Sequence, residues 1–360
     1  MIRILPHRKL IHGGDIESAA ERNPDSRAFL DFSVNVNPFG IPLSVREALE
    51  ASVSQAGRYP DPACRRLRGE LAVFEGVGEE QLLCGGGAGD LIYRVAYALR
   101  PRQSLVLAPT FEEYELALIA AGSGIRRHLL AESGGFAPTR ELLADIRGCD
   151  LVVICNPNNP TGVLADPKLM ADILFACMKE DAALLVDECF LDFIPAARDY
   201  TLKTRLRDYK KLIILRAFTK IFAIPGVRLG HLICPDPGLL RRIDEAGPPW
   251  GVSAAAQAAG IAACREGDFL KETARRLTLM RHFMEGELHG CGLRVYRGCA
   301  NFILFYSHDE SLGDKLAAGG ILVRDCRGFE SLGPGWFRAA VRNGEDVSRL
   351  ARAISGGNLE

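Results

Sequence analysis

Short apolar runs alternate along the first two thirds of the chain with longer amphipathic or alanine-rich stretches. Runs bounded by glycine, proline or polar residues indicate buried parallel strands, and the stretches between them indicate helices. This alternation predicts an α/β fold in which a mostly parallel, seven-stranded sheet lies between helices and binds ligands at the carboxyl ends of its strands. We expect strands at 81–84, 104–108, 151–155, 183–186, 212–216 and 231–234, and helices or crossovers at 90–99, 111–121, 167–179 and around Arg205.

The pattern changes after residue 245, where Pro248 and Pro249 interrupt the chain. A long helical stretch over 253–289 is followed by short strands at 293–296, 301–305, 321–324 and 336–341. We therefore predict three regions. An arm over 1–45 is broken by glycines and prolines, a large domain covers 46–245, and a smaller α+β domain covers 246–360.

Composition and charge narrow the classes of function. The chain carries 44 Lys and Arg against 45 Asp and Glu, a formal net charge of −1. This balance argues against a nucleic acid or an anionic membrane as partner. No apolar run is long enough to span a membrane, and residues 1–15 lack the apolar segment of a secretory signal. The 11 cysteines show neither CxxC pairs nor zinc spacing, which predicts free thiols, no metal site and a cytoplasmic location.

Two ionisable residues follow predicted buried strands. Lys220 lies among apolar residues in Ala-Phe-Thr-Lys-Ile-Phe, where burial would lower its pKa and favour the neutral amine that Schiff-base chemistry needs. Asp187 ends the run Ala-Ala-Leu-Leu-Val-Asp, where it could pair with a protonated heterocycle nitrogen. Taken singly, Lys220 could equally be a lysine whose stem alone is buried, and Asp187 or Glu188 could cap a helix or form a salt bridge.

Two loops carry further signals. Residues 155–162 read Cys-Asn-Pro-Asn-Asn-Pro-Thr-Gly, a turn that could aim an asparagine amide into a cleft. Residues 84–90 read Cys-Gly-Gly-Gly-Ala-Gly-Asp between a strand and a helix, which favours an anion at the helix N-terminus. This glycine turn fits neither the GxGxxG dinucleotide fingerprint nor the Walker A pattern, so a nicotinamide dehydrogenase is disfavoured. A purely structural turn stays open for both loops.

In this order, the glycine turn, the asparagine–proline loop, the buried aspartate and the buried lysine resemble the fold-type-I enzymes that use pyridoxal phosphate. The resemblance covers nearly the whole chain. It implies that Lys220 is the Schiff-base lysine and that Asp187 pairs with the pyridinium nitrogen of the cofactor, which keeps the ring an electron sink. It also implies that Asn159 donates to the ring hydroxyl and that Phe111 stacks on the ring.

The same resemblance implies how the cofactor phosphate is held. The residues that match its binding site are Ala88, Gly89, Thr219 and Arg228. Tyr59, in Arg-Tyr-Pro-Asp, matches a tyrosine that reaches the cofactor phosphate of the neighbouring subunit. That match implies a homodimer with shared sites.

Within this superfamily, the chain is similar to threonine-phosphate decarboxylases and to histidinol-phosphate aminotransferases. His12-Gly-Gly-Asp and the segment from Asp31 to Gly40, Asp-Phe-Ser-Val-Asn-Val-Asn-Pro-Phe-Gly, favour the decarboxylases, as does Phe190 where aminotransferases usually have tyrosine. Asp15 departs from the asparagine of the decarboxylase motif.

The resemblance implies decarboxylation of L-threonine O-3-phosphate to (R)-1-aminopropan-2-yl phosphate for cobalamin biosynthesis. Such a substrate carries a carboxylate and a phosphate and needs two cationic anchors, for which Arg324 and Arg338 match the family's substrate arginines. His12, Asn35 and Asn159 match further substrate contacts. The alternative is an aminotransferase for histidinol phosphate or an aromatic amino acid. A non-catalytic regulator of the same fold is disfavoured, because the chain has no N-terminal winged-helix segment and no basic excess.

Overall fold

Apolar runs with side chains buried on both sides form most strands of the central sheet. The computed structural model describes residues 13–24 and 28–356, and all structural statements refer to these residues. Within them the chain forms thirteen strands, numbered β1 to β13: Leu30–Asp31, Leu82–Gly85, Gln103–Ala108, Gly124–Leu129, Leu151–Cys155, Ala183–Asp187, Leu212–Ala217, Gly230–Ile233, Arg294–Tyr296, Phe302–Tyr306, Ile321–Leu322, Arg324–Asp325 and Trp336–Ala340.

Five of the α-helices begin at a residue whose side chain caps them. Asp166 accepts hydrogen bonds from the backbone N–H groups of Lys168 and Leu169, and Pro167 occupies the first helical position. Ser253 and Asn343 cap two later helices in the same way. The described residues form thirteen α-helices, numbered α1 to α13: Ile16–Arg22, Leu43–Ser52, Arg65–Glu75, Ala88–Leu99, Glu112–Ala120, Leu142–Asp145, Pro167–Lys179, Phe218–Ile221, Pro237–Glu245, Ala254–Ala263, Gly267–Gly290, Leu312–Ala318 and Gly344–Ile354.

The central sheet has seven strands in the order β2-β8-β7-β6-β5-β3-β4. Five of them, β4, β3, β5, β6 and β7, pair in parallel, whereas β8 runs antiparallel to both of its neighbours. Successive side chains alternate between two cores: Leu184 and Ile214 belong to one, Leu185 and Ile213 to the other. Because both faces are buried, the strands are continuously apolar, and the predicted α/β fold is confirmed.

The C-terminal part of the chain forms a second, four-stranded sheet in the order β12-β13-β10-β9. The strand predicted over 321–324 is two short strands: β11 pairs in parallel with β1 near the N-terminus, and β12 pairs antiparallel with β13. The segment after the first helix therefore joins this part of the molecule through backbone hydrogen bonds, such as Leu30 N–H to Gly320 O at 2.8 Å. The three predicted region boundaries stay a prediction.

Three local details differ from the predictions or refine them. The helical stretch over 253–289 is two helices, α10 and α11, because the chain turns at Cys264–Glu266. The segment around Arg205 is a 3-10 helix, Leu202–Asp208. Strand β4 was not predicted, since its sequence Gly-Ile-Arg-Arg-His-Leu is mostly polar and it lies at the edge of the sheet. Among the described residues, no helix has the length and apolarity that a membrane crossing requires.

Candidate active site

A cavity of about 590 Å³ opens at the carboxyl ends of β2, β3, β5, β6 and β7, where loops carry polar side chains out of the buried strands. Its wall also includes residues from the N-terminal segment and from the four-stranded sheet. Eleven of the predicted site residues line it: Asn35, Ala88, Gly89, Phe111, Asn159, Asp187, Thr219, Lys220, Arg228, Arg324 and Arg338. The topology therefore brings together residues that are separated by up to about 300 positions in the chain.

Lys220 lies in the short helix α8, directly after the buried strand β7. Burial, followed by the positive charges of Arg338 and Arg228, lowers the pKa of its amine to about 8. In the described part of the chain, its Nζ atom has neither a hydrogen bond nor an ion pair. A lysine in this environment can react as a neutral amine near neutral pH.

Asp187 is the last residue of β6 and is buried. Its Oδ2 atom accepts a hydrogen bond from the Tyr114 hydroxyl at 2.5 Å, and its Oδ1 atom accepts one from the Cys189 backbone N–H at 2.9 Å. Burial raises the pKa of this carboxyl, and these two hydrogen bonds oppose the rise. A buried carboxylate held in this way is stabilised by any cation that enters the cavity beside it. Tyr114 was not predicted, although it lies three positions after Phe111, in the first turn of α5.

The glycine turn and Arg228 form an anion cradle. Helix α4 starts at Ala88, after Gly87 with φ of +93°, and its first residues, Ala88 and Gly89, line the cavity, where the unpaired N–H groups of a helix N-terminus favour an anion. A Cβ atom on Gly87 would lie 2.8 Å from Arg228 Nη2, so only glycine lets the guanidinium rest against the turn. Asp90 secures the turn, because its Oδ2 accepts from the Gly86 N–H at 2.8 Å while its Oδ1 pairs with Arg94 at 2.9 Å.

Two asparagines of the asparagine–proline loop fix the shape of the loop, and a third lines the cavity. Asn156 Oδ1 accepts from the Ala165 N–H at 2.8 Å. Asn158 donates to Pro109 O at 2.9 Å and accepts from the Thr110 hydroxyl at 2.7 Å. These two asparagines hold the loop, whereas Asn159 lines the cavity and accepts a hydrogen bond from Arg338.

Two buried arginines face each other at the side of the cavity opposite the central sheet. Arg324 and Arg338 are direct partners in the register of β12 and β13, and their side chains are about 6% exposed. Arg338 donates to the Ser33 backbone oxygen at 2.8 Å, and burial together with the charge of Arg324 lowers its pKa to about 10. Two like charges opposite each other in a sheet are unfavourable alone. The pair therefore favours anionic ligands in the cavity.

The sequence left open whether Glu188 caps a helix or forms a salt bridge. In the structure Glu188 belongs to a buried ionic network. Its carboxylate lies 3.3 Å from Arg216 Nη1 and accepts from the Thr201 hydroxyl at 2.7 Å. Arg216 also lies 3.1 Å from Asp192 and 3.5 Å from Glu75. The network joins the ends of β6 and β7, which carry Asp187 and Lys220 toward the cavity. Sequence reasoning did not predict it, because its members are far apart in the chain.

Three residues that the sequence analysis singled out are not among these eleven. Tyr59 is 82% exposed and packs against Trp250, with ring centroids 4.8 Å apart and ring planes tilted by 35°, and it does not line the cavity of its own chain. His12 lies outside the described residues. Phe190 lines the cavity and packs edge-on against Phe302 at 5.1 Å, so this position contributes no hydroxyl.

Two buried polar atoms of the cavity residues have no hydrogen-bond partner in the described chain. They are Asn35 Oδ1, an acceptor, and Arg338 Nε, a donor. With the Lys220 amine, whose pKa is lowered, the carboxylate of Asp187 and the cradle at Gly87, the cavity offers groups for a phosphate, for a protonated ring nitrogen and for an aldehyde carbon that an amine can attack. The residues present therefore fit pyridoxal phosphate and an anionic substrate beside it.

Comparisons with known proteins agree with this geometry. The family model described as aminotransferase class I and II matches residues 27–354. The chain is 35% identical over 350 residues to a threonine-phosphate decarboxylase of Salmonella typhimurium, covering 95% of each chain. It is 32% identical to a histidinol-phosphate aminotransferase of Limosilactobacillus fermentum, covering 90% of this chain and 89% of that one.

Among solved structures, the histidinol-phosphate aminotransferase of Clostridium acetobutylicum superposes with a TM-score of 0.84 at 27% identity, covering 90% of this chain and 98% of that chain. Its similarity extends over both the central sheet and the C-terminal part of the chain. The predicted resemblance to fold-type-I enzymes is thereby confirmed. This protein belongs to the aminotransferase class I and II family.

Proposed function

We propose that this protein is a pyridoxal-phosphate enzyme that decarboxylates L-threonine O-3-phosphate, giving (R)-1-aminopropan-2-yl phosphate for cobalamin biosynthesis. The observation that carries the proposal is the pair of buried arginines, Arg324 and Arg338, in a cavity that also contains Lys220 and Asp187. Two guanidinium groups match a small ligand with two anionic groups. The 35% identity to the threonine-phosphate decarboxylase of Salmonella typhimurium supports the same substrate.

Pyridoxal phosphate is the cofactor of this protein, and when bound it supplies an electron-accepting ring conjugated to the substrate nitrogen. Lys220 would hold the aldehyde carbon, and Asp187 the ring nitrogen, where its negative charge favours the protonated form. The phosphate would rest on the N-terminus of α4, with Arg228 and Thr219 beside it. Phe111, which lines the cavity with its ring 5.6 Å from the Tyr114 ring, would cover one face of the cofactor.

The arginines would decide which bond of the substrate reacts. Only a Cα bond that stands perpendicular to the cofactor ring overlaps its π-system, so the protein selects the reaction by orienting the substrate. A decarboxylase holds the carboxylate in that position, whereas an aminotransferase holds the Cα–H bond there and needs a base for the proton. Lys220, with its pKa lowered to about 8, could serve as that base or return a proton to Cα after loss of CO₂.

The second candidate function is an aminotransferase acting on histidinol phosphate. It is favoured by the 32% identity to the enzyme of Limosilactobacillus fermentum and by the superposition on that of Clostridium acetobutylicum. The phenylalanine at position 190 favours the decarboxylase instead, because Phe190 cannot donate the hydrogen bond that a tyrosine would give the cofactor hydroxyl.

Incubation with threonine phosphate in the absence of any keto acid separates the two candidates. We expect release of one CO₂ per substrate and formation of an aminopropanol phosphate. A requirement for 2-oxoglutarate, or turnover of histidinol phosphate with glutamate formation, would refute the decarboxylase. Replacing Lys220 by alanine is the control, since it should remove both the visible absorbance of the bound cofactor and the activity.

We further propose a homodimer in the cytoplasm. Tyr59 and Trp250 form an exposed aromatic pair, 82% and 46% accessible, which is typical of a protein interface. In such a dimer Tyr59 would reach the cofactor phosphate of the other subunit. All eleven cysteines are free, which fits a reducing compartment. Mixing a Lys220→Ala chain with a Tyr59→Phe chain tests the shared site, because one of the two sites in the mixed dimer would then be intact.

A further inference from the structure

Glu112 is a carboxylate that faces one of the two cavity arginines. Its Oε1 atom lies 3.5 Å from Arg324 Nη2. Glu112 is the first residue of helix α5, beside the central sheet, whereas Arg324 is the first residue of β12 in the four-stranded sheet. The ion pair therefore bridges the two sides of the cavity.

Arg324 and Arg338 differ in the kind of partner that each one has. Arg338 donates to the Asn159 side-chain oxygen and to the Ser33 backbone oxygen, both neutral acceptors. A neutral acceptor can stay in place when an anion binds the same guanidinium. The Glu112 carboxylate can stay beside Arg324 only at a cost in binding free energy, because it repels a second anion at Arg324. An anionic ligand at Arg324 thus competes with a residue of the protein itself.

The geometry makes Glu112 the partner that would move. The Arg324 side chain is 6% exposed, whereas that of Glu112 is 29% exposed. Arg324 is further held by the Phe329 ring, whose centroid lies 5.3 Å from the guanidinium carbon. A separation of 3.5 Å is long for a charge-assisted hydrogen bond, so the pair is loose. Glu112 can turn toward solvent, where its charge is hydrated.

We propose that Glu112 is a displaceable counter-ion of Arg324, which weakens the binding of phosphate esters in the cavity and so speeds the release of a phosphorylated product. The inference rests on the proposed function, in which the ligand carries a phosphate. Decarboxylation removes the carboxylate and leaves the phosphate, a group of nearly two negative charges that buried arginines would otherwise hold tightly. Glu112 returns to Arg324 as this phosphate leaves.

The Glu112→Gln holoenzyme tests the proposal. The probes are O-phosphoethanolamine, an amine with a phosphate monoester, and ethanolamine, which lacks only the phosphate. Binding is followed by the change in cofactor absorbance. We expect the dissociation constant of O-phosphoethanolamine to fall about fivefold in the variant, with ethanolamine unaffected. Added salt should reduce the difference between variant and wild type, because the effect is electrostatic.

Glu113→Gln is the matched control. It removes the same charge at the neighbouring position, where the Glu113 carboxylate accepts a hydrogen bond from the Tyr93 hydroxyl at 3.1 Å. Its dissociation constant for O-phosphoethanolamine should change much less than that of Glu112→Gln, because Glu113 also lines the cavity but its carboxylate is bonded to Tyr93. The proposal is overturned if Glu112→Gln binds this probe no more tightly than wild type, or if the control variant or ethanolamine shows the same change.

Steady-state kinetics with threonine phosphate give a second readout. In Glu112→Gln we expect KM and kcat to fall together, because substrate and product are both held more tightly. An unchanged kcat would contradict the role in product release. If wild-type protein does not turn over threonine phosphate while the binding of O-phosphoethanolamine still responds to Glu112→Gln, the proposed function fails and the counter-ion role stands.

Discussion

Lys220 is expected to capture pyridoxal phosphate as a neutral amine at an unusually low pH. Burial, followed by the charges of Arg338 and Arg228, lowers the pKa of its amine from 10.5 to about 8. This shift corresponds to about 3 kcal/mol against the ammonium form. At pH 7 it raises the neutral fraction from about 1 in 3,000 to about 1 in 10, a gain of roughly 300-fold.

The assay is rapid mixing of the cofactor-free protein with pyridoxal phosphate, followed by the visible absorbance that appears as the cofactor binds. The rate constant should rise about tenfold per pH unit and level off near pH 8. Nα-acetyl-lysine measured in parallel corrects for the titration of the cofactor itself and should continue to rise toward its ordinary pKa. A protein rate constant that also rises steadily to the ordinary pKa of lysine would refute the argument from burial.

The same shift affects folding. Between about pH 8 and 10.5 the unfolded chain binds the Lys220 proton and the folded chain does not, so the free energy of unfolding contributed by this residue rises with pH over that range. Replacing Arg228 by methionine removes one of the charges that lower the pKa of Lys220. The levelling point of the capture rate should then move to higher pH.

Other substitutions give further outcomes. Asp187→Asn should weaken cofactor binding and lower kcat by about 100-fold or more, because the charge opposite the ring nitrogen is lost, and an unchanged kcat would contradict the role of Asp187. Arg338→Met should raise the KM for threonine phosphate about 100-fold, as measured by initial rates. The effect should be smaller for a substrate analogue that lacks the anionic group bound by Arg338. Gly87→Ala should lower the free energy of unfolding in urea by about 1 to 2 kcal/mol, since φ is +93° and its Cβ would meet Arg228, whereas Gly89→Ala, with open space around it, should not.

Much of the fold and of the site could be predicted from local pattern. Buried strands flanked on both sides by helices leave continuous apolar runs, so β5, β6 and β7 were placed almost to the residue. The residues that follow such strands, Asp187 and Lys220 among them, must meet at one edge of a parallel sheet. The edge strand β4 gave no such signal, because exposure allows Arg126 and Arg127 within it.

The sequence by itself determined the α/β fold and the places where polar residues follow buried strands. It also predicted which residue types could hold an anion, a ring nitrogen and an aldehyde. These follow from burial and from the chemistry of short motifs. Only the tertiary structure decided which groups face each other: Tyr114 donating to Asp187, Glu112 opposite Arg324, and Glu188 withdrawn from the cavity into an ionic network. The reason is physical, since pairing energies and pKa shifts depend on distance and burial, which residues far apart in the chain acquire only when it folds.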